Sequence, residues 1–327
     1  MNPFPNFKQI IVTGIVFVSL SFSQGKTFVG DSAWNVASNW SPVGVPSATD
    51  TVIFTTTDTI YDISTSPLKL RVMSGANITL GASLTVLDSA QISGTLNVAN
   101  QSFAASGGSG GHIGGTGTLI ATTGSISLFG NWSVSNFTEG TSLVTFNGTG
   151  NSTIAASETF WRLAVSKSVS TNTLSSASAV TVTIDSSFTV TSGRVLTNAG
   201  ATLGIVGGAS GTDIFSMSTS NSAYEIAGNN TFPTGFETVS LTSASTVRYT
   251  GNSPQSVNSS IVYGNLVFSG SGSKAVASGV FDVNGNFSTS VAFSSLATSN
   301  NFGGNVTVTG NPSVSLAFGD TYFDGPI

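Results

Sequence analysis

Val144 to Val165, VTFNGTGNSTIAASETFWRLAV, lines up without a gap against Val247 to Phe268, VRYTGNSPQSVNSSIVYGNLVF. Val144/Val247, Gly148/Gly251, Ser157/Ser260 and Leu163/Leu266 are identical, and Phe146/Tyr249, Ile154/Val257, Phe160/Tyr263 and Val165/Phe268 keep bulky apolar character in register. The apolar pattern survives where identity does not. A β-type unit therefore recurs about a hundred residues apart, as in architectures whose units cannot each bury a hydrophobic face alone. Outside these copies, short pieces such as Leu68–Val72, Ile78–Leu80, Leu84–Val86 and Leu96–Val98 alternate apolar and polar residues, as do Val180–Ile184 and Phe188–Val190. Period-2 alternation sends one set of side chains inward and Ser, Thr or Asn outward. The breaks at Gly75, Gly81 and Gly94 leave no room for intervening helices. The expectation is an all-β, elongated, right-handed parallel β-helix or solenoid. Tandem β-sandwich modules are the alternative, because a hundred residues is also the size of one such domain.

Composition supports the same class. The chain has 327 residues, of which 39% are hydrophobic, enough for a substantial core. Only 7% are charged, against roughly 25% in ordinary globular proteins. The polar surface must then be Ser, Thr, Asn and Gly, residues that compete with a helical backbone for hydrogen bonds and suit outward positions on strands. A net charge of −5 with nine scattered basic residues excludes the footprint of a nucleic-acid binder and the Lys/Arg clusters of an anionic-lipid binder.

Lys8 precedes an apolar run from Ile10 to Phe22, followed by Ser23, Gln24 and Gly25, the layout of a secretory signal peptide spanning residues 1–23. The run is shorter than the roughly 20 residues of a membrane-spanning helix, so no membrane span is expected once the signal is removed. The chain has no cysteine, which excludes disulfides, thiolate metal sites and a lipid-modified cysteine. The expected organisation continues with solenoid rungs over 24–105, a loop or linker over the Gly/Ser-rich stretch 106–117, and repeated strand units over 118–327 that continue beyond residue 327.

The rungs open on a tryptophan-rich entry: Trp34-Asn35, Asn39-Trp40, Gly44-Val45-Pro46 and Asp50–Phe54. Two readings stand side by side: the indoles cover the open end of a core, or they form a platform that stacks on a sugar ring. Trp132 and Trp161 are the remaining aromatic candidates for a glycan surface. Further along, Gly130-Asn131-Trp132, Gly285-Asn286-Phe287 and Gly304-Asn305-Val306 recur as a turn followed by a strand. Gly-Asn is read as taking a left-handed turn, with the next residue diving into the core.

The entry W…NW…GVP…DTVIF resembles the opening of large secreted bacterial surface proteins with repetitive strand passengers. The segments GNW…GTSLVTFNGTGNSTI…FWRLAVSKS and STVRYTGNSPQSV…YGNLVFSGSGSKAV, covering most of residues 120 to 310, resemble the β-strand repeats of giant secreted adhesin-like proteins of the Bacteroidetes, with passengers built like autotransporter solenoids. That resemblance implies export to the outside of the cell and a role in adhesion or surface structure.

Chemistry is hard to assemble from the sequence. The carboxylates Asp58 and Asp62, Asp282, and Asp320 with Asp324 are the arguable acids for a glycosidase, which needs two of them facing each other. They read as isolated turn and surface acids. A β-helix lyase would need clustered Asp for calcium and a Lys or Arg base; Arg162, Arg194 and Arg248 are available as that base but lie far from those acids in sequence. His112 is the single histidine, with no acid beside it to orient the ring, so it reads as a solvated loop residue. Gly107-Gly108-Ser109-Gly110-Gly111 matches a nucleophile elbow by letter alone, the glycine run lacks the lysine of a phosphate loop, and no acidic run forms a calcium turn. The sequence therefore implies no catalytic residue, no metal and no cofactor. It points to a secreted or outer-surface, non-enzymatic structural or adhesin-like repeat protein, its partners glycans or surface polysaccharide, bound weakly and repeatedly along Ser/Thr/Asn rows, with self-association through the solenoid ends. The competing class is a carbohydrate-binding module or a polysaccharide lyase or hydrolase on a β-helix.

Overall fold

The structure, a computed structural model, describes residues 24–108, 110–177, 180–197, 205–208, 212–316 and 320–326. The expected signal peptide, residues 1–23, lies outside them. Within the described residues the chain is a β-solenoid of about 12 stacked turns. A 3-10 turn at Ala37–Asn39 is the one helical element among them. Strand pairing is parallel throughout, except where Gly25–Phe28 meets Trp40–Ser41 antiparallel. That pattern excludes tandem β-sandwiches, which are antiparallel.

Each coil contributes strands to three faces. Face A carries Thr51–Phe54, Lys69–Val72 and Ala90–Ile92 at one end and Asn265–Phe268, Phe287–Thr289 and Val306–Val308 at the other. Face B begins with Thr57–Ile60, Asn77–Leu80 and Thr95–Asn97, and face C with Leu84–Val86, Ser102–Ala105 and Ser125–Leu128. Alternation along each strand produces the core. Val52, Leu70, Ala90, Ile113 and Trp132 stack inward in one column of face A, and Leu84, Phe103, Ile126, Val144 and Leu163 in one of face C. The alternate residues point out, giving columns such as Thr57–Asn77–Thr95–Thr118–Asn136 on face B. The buried residues form one continuous hydrophobic cluster from Phe28 to Phe302.

The two sequence copies turn out to be single coils displaced by one face. Val144 on face C lies beneath Leu163 of the next coil, whereas Val247 on face A lies beneath Leu266. The repeating unit is thus one coil, and the hundred-residue spacing counts several of them. Coil length is not fixed: Val52 steps to Leu70, but Val195 steps to Tyr224.

The Gly/Ser-rich stretch begins as a loop over the described residues 106–108 and 110–112, but it is not a linker between separate bodies. Its second half belongs to the strand Ile113–Ile120, which runs across the corner from face A to face B and pairs with the coils on both sides. Gly115 has φ of +132°, and a Cβ there would sit 1.9 Å from the Ile92 carbonyl oxygen, so the close approach of two coils demands glycine. The Gly-Asn corners also differ from expectation. Gly130, Gly285 and Gly304 do not have left-handed φ values. They are small because corners stack: a Cβ on Gly304 would lie 2.6 Å from the backbone of Gly285. The asparagines form a ladder instead, with Asn265 Oδ1 accepting the Asn286 N–H at 2.9 Å and Asn286 Oδ1 accepting that of Asn305 at 3.0 Å.

Candidate functional site

The tryptophans sort by burial. Trp34, Trp40 and Trp132 are each 0% exposed, so no sugar ring reaches their faces and the platform reading is replaced by a packing one. Trp34 and Trp40 sit edge to face at 4.9 Å, Trp40 contacts Phe28 at 5.1 Å, and its Nε1–H donates to the Trp34 carbonyl at 2.8 Å. They close the N-terminal end of the core. Trp132 packs on Phe137 and Phe160 and donates its indole N–H to Glu158 at 3.1 Å. Trp161 alone is half-buried, at the irregularity between Phe160 and Arg162.

The sequence-selected acids do not converge. Asp58 accepts the N–H and hydroxyl of Ser32 and caps a loop. Asp62 holds a left-handed turn with φ of 57°. Asp282 accepts from Asn301, and Asp320 from the Tyr322 hydroxyl, in coils at the other end of the stack. His112 also has a structural place: its Nδ1 accepts the Asn131 N–H at 2.7 Å, and Asn131 Oδ1 in turn accepts the Thr153 N–H at 2.9 Å, so the imidazole ties one corner to the next.

Two groups that sequence reasoning passed over carry perturbed acidity. Burial pushes the Glu158 carboxyl up to about 7, the Trp132 N–H opposes the shift, and repulsion from Glu139 adds to it. Asp185 is likewise raised, by burial and then by Glu139 and Asp213. Glu139, Asp185 and Asp213 lie at the corner between faces B and C, where Arg162 donates to the Thr141 carbonyl at 3.1 Å, whereas Glu158 opens its face B segment in register with inward Val182. Lys167 lies inside the core, donating to the Ser152 hydroxyl, its Nζ 5.8 Å from the Phe146 ring centre. Burial lowers it to about 8. Serine beside a lysine of lowered pKa is the composition of a nucleophile and its base. Here, however, the serine hydroxyl gives its own proton to the Phe129 carbonyl at 3.2 Å, and both residues are 1% exposed, so the pair fastens a corner.

The outward cluster with spare bonding capacity is on face A. Arg194, Ala223 and Thr246 are register neighbours in one outward column, and Leu196, Glu225 and Arg248 in the next. Arg194 pairs with Glu225 at 3.0 Å. Arg248, directly opposite Glu225, forms no ion pair among the described residues, and the Nε atoms of both arginines have no hydrogen-bond partner. Together they border a surface cavity of about 140 Å³, whose other walls include Ser170, Thr171, Ser220 and Asn221. In comparisons with known proteins, no family model, curated protein or solved structure matches this chain.

Proposed function

We propose that the chain is an exported, non-enzymatic surface module whose body is a stiff rod that holds attached segments away from the cell. The single observation behind this reading is the continuous core: among the described residues one cluster of inward side chains runs from Phe28 to Phe302, and the strand Ile113–Ile120 in the glycine-rich stretch pairs with the coils on both sides. About 12 turns at ~4.8 Å per strand spacing make a rod of about 55 Å. Export is supported by Lys8 and the apolar run Ile10 to Phe22. Among the described residues, no helix is long and apolar enough to cross a membrane.

The test has two parts. Expressed from Met1 in a Gram-negative host, the protein should be recovered outside the cytoplasm with its N-terminus near Ser23 or Gln24; an intact N-terminus in the cytoplasm would overturn export. The purified chain, incubated with a panel of polysaccharides, should release no products. Turnover that disappears on Asp282→Asn would replace the structural reading with the enzymatic one.

A further inference from the structure

We infer that the cavity between Arg194 and Arg248 is a subsite for the acidic group of a saccharide, a uronate carboxylate or a sulfate ester. Charge is the first ground. The chain has nine lysines and arginines in all and a net charge of −5, yet two of the arginines line this one small cavity, with a single carboxylate, Glu225, paired to the first of them. Glu225 spends itself on Arg194 through Oε2, while its other oxygen is approached at 3.4 Å by the Thr250 hydroxyl. Arg248 is left with its donors uncommitted, between Glu225, whose carboxylate is taken by Arg194, and outward Val267 in its own column, with Thr246 and Ala223 in the column beside it. A guanidinium without an ion-pair partner, beside a second arginine whose carboxylate is already engaged, favours an anion, and its planar fork matches an oxyanion.

Shape is the second ground. In the outward column the order is Arg194, Ala223, Thr246, so the smallest side chain lies between the longer ones and makes the floor of the cavity. Its volume of about 140 Å³ is well under the 300–1,000 Å³ typical of sites that enclose a drug-sized molecule. The cavity therefore takes one charged group, with the rest of the ligand lying along the sheet.

The rim decides what that rest is. Ser170, Thr171, Ser220, Asn221 and Thr246 offer hydroxyl and amide groups that complement sugar hydroxyls, whereas only Ala223 offers apolar surface to a peptide side chain. Nor can a peptide add as a strand, because the strand bearing Arg194 is bonded on both sides, to Thr173–Ser176 and to Ser222–Ile226.

The inference is independent of whether the rod is a spacer, and its test reads binding alone. The full chain is titrated calorimetrically with a galacturonic acid tetramer, a sulfated tetramer, a neutral glucose tetramer and a hexaglutamate peptide. One or both acidic saccharides should bind, more weakly as salt rises, with the neutral tetramer and the peptide at least tenfold weaker; which of the two binds identifies the acidic group. Arg248→Ala should lower affinity about tenfold, the loss of one charge-assisted contact, and Glu225→Gln should raise it about threefold. Ala223→Leu fills the floor without altering charge, so it should also abolish binding, and it serves if Arg248→Ala alters the fold. Equal binding of neutral and acidic saccharides, binding by neither, equal binding of hexaglutamate, or undiminished affinity in Ala223→Leu would each overturn the assignment.

Discussion

The two ends of the described solenoid are built from the same kinds of residue and end in opposite conditions. At the N-terminal end, Trp40–Ser41 turns antiparallel along Gly25–Phe28 and finishes the ladder on face A, while Trp34, Trp40, Phe28 and Phe54 fill the cross-section. At the other end, Phe323 stacks on Phe302 at 5.5 Å but is 40% exposed, whereas Phe302 is 3% exposed. Both occupy the same column of face C. Burial in this fold is thus conferred by the next coil, and a residue's own strand supplies only its direction.

The largest test of that contrast is aromatic truncation at each end. Trp40→Ala, at a fully buried indole, should cost about 3–5 kcal/mol in urea denaturation, whereas Phe323→Ala, at a side chain that is 40% exposed, should cost about 1 kcal/mol or less. Equal losses would mean that the last coil is as tightly held as the first.

A second test uses the interior cations. Burial lowers Lys167 and Lys274 to about 8, from 10.5 in the unfolded chain. Between those values the unfolded state holds more protons, so stability should rise as pH goes from about 8 toward 10. Above 10 the trend should reverse. The buried Tyr249, raised by burial to about 12, stays neutral in the fold while tyrosines of the unfolded chain ionise, and Tyr263 is raised in the same direction. Lys167→Met and Lys274→Met should each flatten the rise between 8 and 10 in denaturation midpoints, and an unchanged slope would show that these amines titrate normally.

Smaller effects should come from the corners and faces. Asn286→Ala removes a ladder rung bonded to both neighbours and should lower stability by about 1 kcal/mol. Ser102→Ala, on an outward column where its hydroxyl lies 2.9 Å from that of Ser125, should stay within about 0.5 kcal/mol of the parent.

Alternation made most of the fold legible. Lys69-Leu70-Arg71-Val72 and Leu84-Thr85-Val86 announce their buried and outward faces directly, and parallel stacking follows from pieces too closely spaced for helices. What it concealed was rotation: a coil has three similar sides, so copies that start on different faces still align, as Val144 and Val247 do. The second half of the glycine-rich stretch, which enters the strand Ile113–Ile120, misled because flexible loops and crowded backbone favour the same residue. Chemical type misled about the lysines, although parity held the answer. Lys26 is two residues from inward Phe28, Lys167 from Val165, and Lys274 from Val276, and all three are buried, their ammonium groups satisfied by carbonyls or a hydroxyl. Lys69, out of phase with Leu70, is outward and pairs with Asp88 at 3.2 Å. The arginine cleft needed register across coils of unequal length, which no local pattern encodes.

Because the backbone hydrogen bonds between coils run along the long axis, traction applied at the two ends loads them one coil at a time. Each release frees a segment such as Leu266 to Phe287, which paid out at about 3.4 Å per residue is roughly 70 Å of slack, longer than the whole folded stack. A tether of this construction yields in steps under load and dissipates work at every step, and stretching single molecules should give a sawtooth trace whose increments vary with the length of the coil being undone.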